Sequence, residues 1–98
     1  MTAYLISFSN QHSDNPDWRS QYLQIVNPLL KKHNGEIISR GSPEVMERGQ
    51  NWEKATLIQF PSSEQAKSFM NDPDYHHAKG LRIFHTNGAL YLLEPDKQ

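Results

Sequence analysis

The chain of 98 residues contains no cysteine. Disulfides, thiolate metal sites and a cysteine nucleophile are thereby excluded, while the redox character of the compartment stays open. An excess of one charge is also missing, since 10 Lys and Arg stand against 11 Asp and Glu. With no long-range field to attract nucleic acid or an acidic membrane, neither is expected as a partner. No apolar run approaches the roughly 18 residues that span a bilayer, and the first residues show no basic start followed by an apolar stretch. A cytoplasmic location is expected. Phosphate loops, dinucleotide fingerprints and G-x-S-x-G turns are absent too, so nucleotide cofactors and serine-hydrolase chemistry find no support.

Apolar residues are themselves scarce. They make up 36% without glycine and about 41% with the 5 glycines, below the roughly 45–50% of a typical globular domain. Residues 1–98 are read as a single domain with a thin core, and small domains in that position often gain burial by forming oligomers.

What is present is a regular alternation of patterns. AYLISFSN has the β-branched and aromatic content of a strand. Asn15 can cap a helix starting at Pro16, and Trp18, Tyr22, Ile25, Val26, Leu29 and Leu30 keep helical spacing. Pro28 is expected to bend that helix and Asn34-Gly35 to end it. EIISRG reads as a second strand with Ile38 and Arg40 on one face and Ile37 and Ser39 on the other. VME is read as a short extension of it. KATLIQF is a third strand, apolar on both faces. Ser62 and Gln65 have capping-box spacing at the start of a second helix, which restarts in a new direction at Asp72-Pro73. HTNG is expected to be a loop before a last strand, ALYLLE.

The order β-α-β-β-α-β is the split arrangement of an α+β, ferredoxin-like fold, with both helical segments on one face of a four-stranded antiparallel sheet. Several strands are apolar on both sides, so the second face also needs cover. A second copy of the chain is the simplest cover, and a homodimer is expected.

Arg40 is the most informative polar residue, because a guanidinium among apolar neighbours needs a partner and its planar fork suits a carboxylate. Glu47 could be that partner in a structural ion pair, which is the expected arrangement. The alternative is a ligand anion on Arg40, with Glu47 orienting it or acting as a base; Arg82 carries the same ambiguity. Trp18, Tyr22 and Tyr75 are either plain core or the lining of a pocket with directional hydroxyl and indole groups. His12, in the loop after the first strand, is a candidate acid or base near neutral pH. The adjacent His76 and His77 diverge on a helix, and His77 and His85 stand too far apart to share an ion. No metal and no cofactor is expected.

The combination of HNGEIISRGSPEVMERG, QFPSSEQAKSFMNDPDY, Leu81-Arg82 and the terminal YLLE resembles the domain-of-unknown-function family 1330, a branch of the dimeric α+β barrel superfamily. The resemblance covers nearly the whole chain, with Arg40-Gly41, Phe60-Pro61-Ser62, Tyr75 and Arg82 as its strongest pieces. It implies a homodimer in which two sheets face each other as a barrel, with the space between helices and sheet as the ligand site. It implies no settled activity. The chain departs from the usual pattern at Asn34, where a second glycine often precedes Gly35, at Trp18, often tyrosine, and at Arg48, which adds a cation beside Glu47. Two function classes remain: a cofactor-independent enzyme acting on a small aromatic or acidic organic molecule, as several relatives in the superfamily are isomerases or oxygenases, and a non-catalytic dimeric small-molecule-binding or structural protein.

Overall fold

Alternating inward and outward side chains place the sheet's residues, and the computed structural model describes them over residues 2–11 and 17–96. The elements run β1 (Ala3–Gln11), α1 (Trp18–Lys32), β2 (Glu36–Gly41), β3 (Lys54–Phe60), α2 (Ser63–Asn71), α3 (Pro73–His85) and β4 (Thr86–Leu93). The strands form one four-stranded sheet in the order β2-β3-β1-β4, every neighbouring pair antiparallel. This is the expected ferredoxin-like arrangement, with the second helical segment divided in two. The expected cap at Asn15 and start at Pro16 lie outside the described residues.

Between sheet and helices sits a core of Leu5, Val26, Leu29, Leu30, Phe60, Ala66, Phe69, Tyr75 and Ala78. Phe60 and Tyr75 are its largest fully buried side chains. The opposite sheet face carries Tyr4, Ile6 and Phe8 from β1, Leu57 from β3, and Tyr91 and Leu93 from β4, by strand alternation and register. No helix or strand among the described residues covers it. Tyr91 is 59% and Leu93 52% exposed, and the molecule is only 17 Å across its shortest axis, the depth of one sheet and one helix layer.

Three local expectations are corrected. First, a β-bulge between Ile37 and Ser39 pairs Ile37 with Ile58 and Arg40 with Thr56. The extra residue, Ile38, shifts the alternation, so Arg40 shares a face with Ile37 and not with Ile38. Second, VME does not extend β2; residues 42–53 run without strand and are mostly exposed. Third, HTNG is not a loop, because α3 ends at His85 and β4 begins directly at Thr86. Gly88 permits this, since a Cβ there would collide with the carbonyl oxygen of Phe8. The expected stop at Asn34-Gly35 is in place, with Asn34 in the left-handed region at φ 62°, a residue type that tolerates it. Gly35 serves packing instead: a Cβ would come within 2.7 Å of the Phe60 ring.

The helices are tied together at one carboxylate. Asp72 ends α2 and caps α3, where its Oδ1 accepts from the Asp74 backbone N–H at 3.0 Å. Its Oδ2 accepts from Lys32 Nζ at 2.9 Å and lies 2.8 Å from His33 Nε2, both at the end of α1. These hydrogen bonds, with His33 first and Lys32 next, hold the Asp72 carboxyl well below the usual carboxylate range. A carboxyl that is more acidic folded than unfolded adds stability that is complete above its unfolded value, about 3.9, and is lost as pH falls below it. Asp72→Asn, which retains an oxygen for the cap, is therefore expected to lower stability at pH 7 and to flatten the decline below about pH 4. Urea unfolding across that range checks it; wild-type and variant curves of the same slope would contradict the tie.

Candidate functional site

Along the helix-facing side of the sheet, polarity changes steadily. At one end lie Leu5, Ile37, Ile58 and Phe60; towards the other lie Ser7, Ser9, Thr56, Lys54 and Arg40. Alpha helix α1 crosses this face with Trp18, Tyr22, Val26 and Leu30, four residues apart and so on one stripe. From α3 come Tyr75 and Arg82, seven apart and two turns along the same stripe.

These surfaces do not close fully. They leave a cavity of about 80 Å³, which Trp18, Tyr22, Arg40, Tyr75 and Arg82 all line. Five residues separated by up to 64 positions in sequence thus meet at one place. An open cleft of about 470 Å³ adjoins it and shares Ser9, Trp18, Arg19, Lys54 and Thr86 with its wall. The aromatic side is ordered by ring contacts. Trp18 stacks on His85 at 5.5 Å with 8° between planes, and Tyr22 meets Trp18 edge-on at 5.9 Å. The buried Nε1 of Trp18 and Nε of Arg82 have no hydrogen-bond partner among the described residues.

The charge of the lining is one-sided. Among the described residues Arg19, Arg40, Lys54 and Arg82 contribute to it and no Asp or Glu does. Burial, then the Arg40 charge, lowers the pKa of Arg19, while Tyr22 opposes the shift. The Tyr22 hydroxyl is pushed well above the usual phenol range, by burial first and then by Tyr75, with Arg82 opposing. It is a proton-bearing donor at neutral pH, not a base. Among the described residues the cleft brings one carboxylate, Glu53, which accepts from the Gln11 backbone N–H at 2.7 Å.

The expected Arg40–Glu47 pair is absent. Arg40 faces the cavity, whereas Glu47 stands in the exposed segment after β2 beside Phe8 and Trp52, where Phe8 belongs to the opposite sheet face. The bulge at Ile38 fixes the side on which Arg40 emerges, and the absent strand extension leaves Glu47 unaligned with it. The ion pairs among the described residues are Lys32–Asp72 and His33–Asp72. His12 lies outside the described residues. His76 and His77 are exposed on α3, and no group of three metal-ligating side chains occurs among the described residues. Arg19 and Lys54 escaped the sequence reading. Strand alternation from Thr56 places Lys54 inward, and Arg19 lies four residues before the cavity-lining Leu23.

A four-stranded antiparallel sheet, helices on one face and a polar-ended cavity between them are joined by a direct sequence match: the family model of a domain of unknown function (DUF1330) covers residues 2–95. The chain belongs to the DUF1330 family. No curated protein matches it in sequence. Among solved structures, a protein of unknown function from Rhodopseudomonas palustris is 19% identical, with TM-score 0.77 over 99% of this DUF1330 chain and 84% of that one. A dimeric ferredoxin-like protein of unknown function from Jannaschia sp. CCS1 is 14% identical, with TM-score 0.77 over 97% of this chain and 100% of that one. SnoaB, a cofactor-independent oxygenase from Streptomyces nogalater, is 7% identical, with TM-score 0.68 over 99% and 95% of the two chains. At these identities the likeness shows the shared fold.

With Arg40 and Glu47 on opposite faces, Arg40→Ala and Glu47→Ala are expected to change stability independently, adding to within about 0.3–0.5 kcal/mol in the double variant. A chemical-denaturation cycle measures this. Coupling of about 1 kcal/mol or more would place the two side chains in contact after all.

Proposed function

We propose that this DUF1330 protein is a homodimer that binds a small organic acid with a flat, apolar or aromatic body in the cavity between helices and sheet. The observation that carries the reading is the pairing of aromatic and aliphatic walls with Arg19, Arg40, Lys54 and Arg82 and, among the described residues, no lining carboxylate. Cations grouped without counter-charge repel one another and cost desolvation, and an anion seated among them relieves both. Arginine offers the planar fork that a carboxylate fills with two hydrogen bonds. The polar end of the cavity meets the open cleft, so the acid group would lie at the mouth and the apolar body against Leu5, Ile58 and Tyr75. The enclosed space is smaller than the roughly 150 Å³ that admits benzene in an engineered cavity. A ligand of one ring would therefore extend into the mouth.

The dimer part of the reading is supported by the uncovered apolar sheet face and by structural neighbours that are described as dimeric. Facing sheets would bury Phe8, Leu57, Tyr91 and Leu93 across an interface above the roughly 1,200 Å² of stable complexes. The cytoplasmic location expected from the sequence belongs to the same proposal; no helix among the described residues is long and apolar enough to cross a membrane.

Catalysis without a resident cofactor is a second reading, favoured by the buried Tyr22 hydroxyl beside Tyr75 and Arg82. Such a group can donate a hydrogen bond to an oxygen that gains negative charge. SnoaB, a cofactor-independent oxygenase, uses the same fold.

Light scattering should report twice 11.4 kDa, and Tyr91→Arg combined with Leu57→Glu should return the mass of one chain. A wild-type monomer at micromolar concentration would refute the dimer. For the ligand, calorimetry should show benzoate binding and benzamide not, with Arg40→Ala reducing benzoate affinity about tenfold or more. Equal affinity for the acid and its neutral amide would refute the anion site. Mass spectrometry of the bound acid after incubation in air separates binding from catalysis.

A further inference from the structure

Within the acid-binding reading, on which this inference rests, the number and placement of the mouth cations carry information about the ligand. Arg19 stands on the first turn of α1 and Arg40 on β2, which bring them to the same cavity from different walls. They are close enough for the charge of Arg40 to act on Arg19. Lys54, on β3 next to β2, lines both the cavity and its cleft. Arg82 is occupied differently, deeper in, against the Tyr22 hydroxyl.

The mouth therefore holds three positive side chains from three elements. Neither Arg19 nor Arg40 has an ion pair among the described residues; the contact shown for Arg19 is the face of Trp18, 6.0 Å from its guanidinium carbon. Glu53, the one carboxylate that lines the cleft among the described residues, accepts from the Gln11 backbone N–H. A single carboxylate brings one negative charge and one pair of oxygens. It can fill one guanidinium fork, leaving the second fork and the lysine uncompensated.

We propose that the ligand is a compact diacid whose two carboxylates are neighbours on its body, one held by Arg40 and the other by Arg19, with Lys54 closing the mouth between them. Two adjacent carboxylates repel in water, and a site with guanidinium groups on both sides takes up that repulsion while its own is relieved. Neighbouring acid groups suit the geometry because Arg19 and Arg40 meet at one end of the cavity, while Leu5, Val26, Ile58, Phe69 and Leu90 offer nothing to a carboxylate and the remaining cation of the wall, Arg82, lies against the Tyr22 hydroxyl. The same arrangement makes Arg19 a residue that selects between monoacids and diacids, whereas Arg40 serves both.

The test compares benzoate, phthalate (two neighbouring carboxylates) and terephthalate (the second carboxylate opposite) by calorimetry on the intact protein. Phthalate is expected to bind about tenfold or more tightly than benzoate, with terephthalate no better than benzoate. Arg19→Gln should shrink the phthalate preference to about twofold, and Arg19→Lys should restore part of it through charge alone. Circular dichroism and the melting temperature of both variants establish that they fold. Benzoate binding as tightly as phthalate, or an undiminished preference in a folded Arg19→Gln protein, would overturn the diacid while leaving the acid site in place. Terephthalate matching phthalate would overturn the adjacency of the two groups. Failure of all three acids would overturn the acid-binding reading itself, and this inference with it.

Discussion

A sheet with two apolar faces and helices for only one of them is the constraint on which the rest of this structure depends. Side chains alternate along each strand, so every strand sends half of its residues to each side. Leu5, Ile58 and Phe60 find the helices. Phe8, Tyr91 and Leu93 find no helix over them among the described residues, and the rings that Phe8 meets are those of Trp52 and Tyr91, at 6.0 and 6.3 Å. A core shared between nine buried side chains is what one layer of helices can supply. The thin apolar content of the sequence thus reappears as a molecule one sheet and one helix layer deep.

The helix-covered side is not packed uniformly either. Towards Phe60 the sheet, α1 and α2 close on one another, with Phe69 against Phe60 at 5.6 Å and Tyr75 against Phe69 at 4.9 Å. Towards Ser9 and Lys54 the inward side chains turn short or charged, and packing gives way to the cavity. Desolvating several cations beside aromatic rings is costly unless they face solvent or an anion. Placing them at the end that opens to the cleft keeps that cost low, and the Asp72 tie between α1 and α3 holds the opposite end of the helices in register.

One inserted residue has a disproportionate effect. The bulge at Ile38 turns a three-residue separation into a shared face, so Ile37 and Arg40 both reach the cavity. A regular strand would have sent one of them to the uncovered face. Glu47 is only seven residues further along and lies beside that other face, which shows how little sequence distance says about contact once a strand has ended.

The sequence by itself determined the element order, the restart at Asp72-Pro73 and the Ser62 cap, where the backbone N–H of Gln65 donates to the hydroxyl at 3.2 Å. It also singled out Trp18, Tyr22, Arg40, Tyr75 and Arg82, which converge on one cavity, because periodicity and capping are local and the polar exceptions on apolar faces can be seen in the pattern. Only the tertiary structure decided the bulge, the direct passage from α3 into β4 past Gly88, the separation of Arg40 from Glu47, and the arrival of Arg19 and Lys54 beside Arg40. Those features depend on strand pairing and close backbone approach between distant segments, and such energies have no counterpart in the spacing of residues along a chain.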